Sequence, residues 1–126
     1  MKIFIICSVR NATNEYKVKL EKYVKILEED GYEVHLPHRN TNQDETGLNI
    51  CQQNKNAIIE SDEVHLFYMV ESTGIHFDLG IAFAYNKPLV VFGKSYNTGF
   101  EPLGFGNVIK VWEGDKHESK EATKDV

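Results

Sequence analysis

After Lys2 the chain runs Ile3-Phe4-Ile5-Ile6-Cys7 without a polar residue. A strand with one wet face alternates apolar and polar side chains. A continuous apolar run of this length marks a strand covered on both faces, as in a parallel sheet sandwiched between helices. Asn11, Thr13 and Asn14 then supply capping oxygens for a helix to about Asp30, along which Tyr16, Leu20, Tyr23, Val24 and Leu27 recur every three or four residues. Lys17, Lys19, Lys22 and Lys25 lie elsewhere on that helix and read as its solvated side. Gly31 ends it. Tyr32 to Pro37 alternates apolar with polar residues, the pattern of a half-exposed edge strand.

The alternation continues. A polar loop from His38 to about Gly47 precedes a helix from Leu48 to Ser61. A third strand follows from Val64 to Val70, then a helix from Ile75 to Tyr85 and a fourth strand from Pro88 to Phe92. A glycine-rich loop from Gly93 to Gly106 leads into Asn107 to Trp112, read as a last, partly exposed strand. Strands alternating with helices predict an α/β fold: a flavodoxin-like three-layer sandwich with a five-stranded parallel sheet in the order 2-1-3-4-5. Residues 1–112 form one domain in this reading, and 113–126 a flexible tail dense in charge.

With 126 residues the chain is long enough for one real core, and 41% apolar with 26% charged residues is an ordinary globular composition. A net charge of −5 speaks against a nucleic-acid polymer as partner. The apolar run at the start is too short for a membrane span or signal peptide. Cys7 and Cys51 form no close pair, and both read as buried thiols of a cytoplasmic protein. No His, Cys and Asp cluster has zinc spacing, so neither metal nor cofactor is expected. His35, His65 and His76 are scattered and read first as structural or solvated rings.

In the predicted sheet order, ligands bind at the carboxyl ends of strands one and three. Ser8-Val9-Arg10 stands at the first end and Glu71-Ser72-Thr73-Gly74 at the second, with Asp78 in the opening turns of the next helix. A helix start offers free N–H groups and a positive dipole end, which suit an anion such as phosphate. A carboxylate held beside it, partly out of water, can serve as nucleophile or base. The same residues also permit plainer readings: an N-cap at Ser72 or Thr73, a surface ion pair for Arg10, a turn hydroxyl for Ser8, a solvated ring for His38. Several phosphate-binding signatures are absent. There is no GxxxxGK[ST] loop and no GxGxxG after the first strand. Cys7-Ser8-Val9-Arg10 replaces the acidic cluster of a response regulator, and Thr13 stands where a Cys-x5-Arg loop needs arginine.

Cys7-Ser8-Val9-Arg10, Pro37-His38, and the run Ser72-Thr73-Gly74-Ile75-His76-Phe77-Asp78-Leu79-Gly80-Ile81-Ala82-Phe83-Ala84-Tyr85-Asn86-Lys87-Pro88 together resemble the nucleoside 2-deoxyribosyltransferase family. The nearer likeness is to its 2'-deoxynucleoside 5'-phosphate N-hydrolase branch, and it extends from residue 2 to about 92. The resemblance implies a carboxylate that attacks the anomeric carbon of deoxyribose and displaces the base, after which water or a second base takes the sugar. It implies that Asp78 occupies the nucleophile position. Ser8, Arg10 and Ser72 would hold the 5' end, with the amide of Gly74 beside them and His38 as a further substrate contact; His76 replaces what is often a small residue and would narrow the pocket or stack on a base. It also implies a small-molecule nucleoside or nucleotide as partner, no cofactor, and a homodimer. Two departures stand out: the family's nucleophile is glutamate where this chain has Asp78, and an aspartate is common where it has Asn54. The alternative they raise is a non-catalytic nucleotide-binding module that has lost the glutamate.

Overall fold

The structure is a computed structural model that describes residues 1–10, 12–43, 46–92 and 104–114. In chain order the elements are β1 (Lys2–Ile6), α1 (Asn14–Glu29), β2 (Glu33–His35), α2 (Pro37–Asn40), α3 (Gly47–Glu60), β3 (Glu63–Leu66), α4 (Thr73–Ala84), β4 (Leu89–Val91) and α5 (Phe105–Gly114). The four strands form one parallel sheet in the order β2-β1-β3-β4. β1 is therefore interior, with Ile3 opposite both Val34 of β2 and Glu63 of β3.

Alternation along β1 divides the core between two faces. Ile3, Ile5 and Cys7 pack with Tyr16, Leu20, Tyr23, Val24 and Leu27 of α1. Phe4 and Ile6 pack with Ile58 of α3, Ile75, Leu79 and Ala82 of α4, and Ile109 of α5. One helix covers one face and three cover the other, giving three layers.

The helix ends follow local chemistry. Thr13, Thr46 and Ser72 each accept a hydrogen bond from the amide three residues on, at Tyr16, Asn49 and Ile75. α1 closes with Gly31 at φ 95°, its amide bonded to the Glu28 carbonyl and the Tyr32 amide to that of Leu27, a Schellman ending. Asn86, at φ 56°, closes α4 the same way through the carbonyls of Phe83 and Ala82.

Three expectations are corrected. Pro37, expected to end the edge strand, and His38 to Asn40, expected to open the loop, form a short helical turn. Proline at the first helical position presets φ, and Asn40 Oδ1 accepts from the Leu36 amide at 2.9 Å. Asn107 to Trp112 is helical and lies within α5, so the described sheet has four strands and the predicted fifth is not formed there. The β-branched Val108, Ile109 and Val111 suggested a strand, but Ile109 and Trp112, three residues apart, share the helix side that packs against β4 and α4. Trp112 Nε1 donates to the Lys87 carbonyl at 2.9 Å, which fixes the helix in place. Glu113, assigned by charge to the tail, is a buried residue of α5 that accepts from the Val91 amide at 2.7 Å. It thereby satisfies an amide of β4 that would otherwise stand open. Residues 115–126 and most of the expected 93–106 loop lie outside the described residues. Among the described residues no helix is long and apolar enough to cross a membrane.

Candidate functional site

A cavity of about 490 Å³ opens at the carboxyl ends of β1 and β3, a volume suited to a small-molecule ligand. Cys7, Ser8 and Arg10 line it from β1; Glu71, Ser72, Gly74, Phe77 and Asp78 from the loop and first turns of α4. Gly47, Ile50, Cys51 and Asn54 line it from α3, spaced so that they share one side of that helix. Five expected site residues therefore meet around one space: Ser8, Arg10, Ser72, Gly74 and Asp78. His38 and His76 are not among its lining residues.

The loop after β1 is held from several directions. Ser8 donates its amide to the Tyr16 hydroxyl at 2.9 Å, and that hydroxyl donates to the Phe67 carbonyl at 3.0 Å. Tyr16 thus ties the ends of β1 and β3 together, its ring stacked on Phe67 with centroids 4.5 Å apart. His38 donates from Nε2 to the Ser8 carbonyl at 2.8 Å, and Ser8 Oγ donates to the Arg10 carbonyl at 3.0 Å. His38 is a support of the loop. Tyr16→Phe would leave a buried amide and a buried carbonyl short of a partner, so it should destabilise the fold by about 1–3 kcal/mol. Urea denaturation measures this, and a loss below ~0.5 kcal/mol would mean that water replaces the hydroxyl.

His76 faces the other way. A carbonyl can only accept, so its Nδ1–H donates to Ser72 O at 2.7 Å; in the neutral ring Nε2 then accepts from the Tyr68 hydroxyl at 2.8 Å. Its ring lies 5.2 Å from that of Phe105 in a separate groove of about 240 Å³ between α4 and α5.

Asp78 is the electrostatic centre of the cavity. Its side chain belongs to a residue only 7% exposed, and burial raises its pKa from 3.8 to about 7, with no hydrogen bond from the described residues to oppose the shift. The neighbouring Cys7 thiol is pushed well up, first by burial and then by the charge of Asp78. Arg10 is exposed and supplies the one basic side chain among the described lining residues. Arg39, close by in sequence, is committed to Glu28 at 2.9 Å and to the Val34 carbonyl at 3.0 Å. At the start of α4 the Ser72 hydroxyl accepts from Ile75 and keeps its own hydrogen for an outside acceptor.

Asn54, 8% exposed, accepts at Oδ1 from Thr41 Oγ1 at 2.7 Å. Thr41 has one hydrogen, so His35 Nε2, 2.8 Å away, must donate to it. This relay holds Asn54 in place on the α3 side of the cavity. Glu71 and Phe77 also line the cavity but were not singled out in the sequence. The signal for Phe77 is its place four residues after Thr73 and next to Asp78, on the turns that open α4. Glu71 precedes the helix in a turn, where no periodicity marks it. Among the described residues no group of three or more His, Cys, Asp or Glu could hold a metal ion.

Two solved structures share this architecture. A Clostridium botulinum CMP N-glycosidase superposes with a TM-score of 0.66 at 22% identity, covering 90% of this chain and 84% of its own. A 2-deoxyribosyltransferase from the psychrotolerant Bacillus psychrosaccharolyticus gives 0.71 at 16% identity, covering 100% and 92%. The likeness is one of fold. No protein-family model matches the chain, and no curated protein matches it.

Proposed function

We propose that the cavity cleaves the N-glycosidic bond of a 2'-deoxynucleoside 5'-monophosphate, with Asp78 as nucleophile. The observation that carries this reading is a buried carboxylate with no hydrogen-bond partner among the described residues, in the same cavity as a cation, the Ser72 hydroxyl and a helix start. The two groups of features suit the two ends of such a substrate. Arg10, the Ser72 hydroxyl and the amides at Thr73 and Gly74 suit a 5'-phosphate, while Ser8, whose hydroxyl hydrogen goes to the Arg10 carbonyl, holds the Arg10 loop in place. Phe77, Ile50, Met69 and Pro37 offer an apolar surface to a base. The sequence resemblance and the reactions named for the two structural neighbours, N-glycosidic cleavage and deoxyribosyl transfer, support the same reaction type.

In the first step an Asp78 oxygen attacks C1' and the C1'–N bond breaks, its electron pair leaving with the base, which then takes up a proton. Water next attacks C1', breaks the ester to Asp78 and releases deoxyribose 5-phosphate. Only ionised Asp78 can attack. With a pKa raised to about 7, the rate of base release should climb as pH rises through about 7 and level off above it. The test is incubation with each 2'-deoxynucleoside 5'-monophosphate across pH 5–9 and chromatography of the free base. One substrate should release base with that rising profile. The second reading, a nucleotide-binding module, is favoured by the shorter Asp78 in place of glutamate. It becomes the better one if monophosphates bind and none is cleaved.

A further inference from the structure

Resting on the reading above, we propose that Glu71 is the general base that activates the water cleaving the glycosyl–Asp78 ester, which makes the site a hydrolase. The second step needs a base. Once Asp78 is esterified it can no longer accept a proton, yet water attacking C1' must lose one. The described lining contains no histidine, because His38 is turned to the Ser8 carbonyl and His76 to the Ser72 carbonyl. The Cys7 thiol is held protonated by burial, and hydroxyls, amides and a guanidinium are not bases near neutral pH. Among the described lining residues, Glu71 is the carboxylate left.

Its position suits the role. Glu71 is exposed at the cavity mouth, where water enters, on a turn closed by the Ser72 amide bonding to the Met69 carbonyl at 3.1 Å. Its negative charge is felt at the hydroxyls of Tyr16 and of Tyr68, at the ends of the strands that floor the site. One buried carboxyl group and one exposed carboxyl group thus line the same cavity, the pair of groups that a two-step glycosyl transfer uses. The step balances: the water oxygen bonds to C1', the C1'–Oδ bond breaks with its electron pair returning to Asp78, and the water proton passes to Glu71 and then to solvent.

The experiment mixes wild type, Glu71→Gln and Glu71→Ala with the 2'-deoxynucleoside 5'-monophosphate that wild type cleaves fastest. Rapid quench follows base release, and intact-protein mass spectrometry follows the adduct. Glu71→Gln should release one base per site in a burst close to the wild-type rate. Steady turnover should then fall roughly 100-fold or more as the glycosyl adduct accumulates. Azide needs no proton removed, so it should restore turnover in Glu71→Ala and yield 1-azido-2-deoxyribose 5-phosphate. Burst and turnover falling equally, without azide rescue, would mean a structural role and overturn the proposal. Unchanged turnover in Glu71→Gln overturns it too, while leaving Asp78 as nucleophile. If wild type releases no base from any monophosphate, both readings fall together.

Discussion

Asp78→Asn should melt well above the wild type at pH 8 and release no base. The carboxyl of Asp78 has its pKa raised to about 7 in the folded chain against 3.8 as the ordinary value, so the fold prefers the protonated form. Its stabilising contribution is complete below about pH 3.8 and is lost as pH rises through about 7. Asparagine keeps the shape of the neutral acid and cannot ionise, so it escapes that loss. A shift of this size corresponds to ~2–4 kcal/mol at pH 8, allowing for relaxation around the charge. In a chain of this length that is on the order of 10 °C in Tm. At pH 4.5 most of the difference should vanish. Melting curves at the two pH values check this, and an equal Tm difference at both would mean that Asp78 is not strained by burial. The same substitution removes the nucleophile, because a neutral amide cannot form the ester. The site would then be a place where function is kept at a cost in stability.

Arg10→Ala should weaken binding of a 2'-deoxynucleoside 5'-monophosphate by about 1.5–3 kcal/mol, roughly ten- to a hundredfold, and leave the unphosphorylated nucleoside nearly unaffected. Arg10 supplies the one basic side chain of the described lining, whereas the hydroxyls and the α4 amides carry no net charge. A dianionic phosphate draws on that charge together with the helix dipole, and a 5'-hydroxyl does not. Calorimetric titration of both ligands into both proteins reads the difference. Equal losses for the two ligands would show that Arg10 supports its loop without reading phosphate.

The parts of the fold legible in the sequence are those fixed locally. The five apolar positions of α1 are its buried residues, and the caps at Thr13 and Ser72 fall where their hydroxyls allow. The continuous run in β1 correctly marked an interior strand, and the alternating Tyr32–Pro37 segment contains an edge one. α5 was misread because Val108, Ile109 and Val111 favour a strand by propensity, while burial against β4 and the Trp112 bond to Lys87 select the helix. Within the site, strand ends and loop residues were legible because topology alone brings them together. Ring directions were not. His38 turns to a carbonyl thirty positions earlier and His76 to its own N-cap, choices made by partners that no spacing reveals. The pKa of Asp78 was equally hidden, since it depends on what closes over the carboxylate.

A covalent bond between sugar and Asp78 is detected by stopping turnover with acid and mapping the modified peptide. Glu71→Gln is the protein of choice, with wild type alongside. The account predicts a deoxyribose 5-phosphate ester on Asp78 in the peptide that spans the start of α4, absent from Asp78→Asn. Base release by an unmodified protein, or an adduct carried by any other residue, would contradict it.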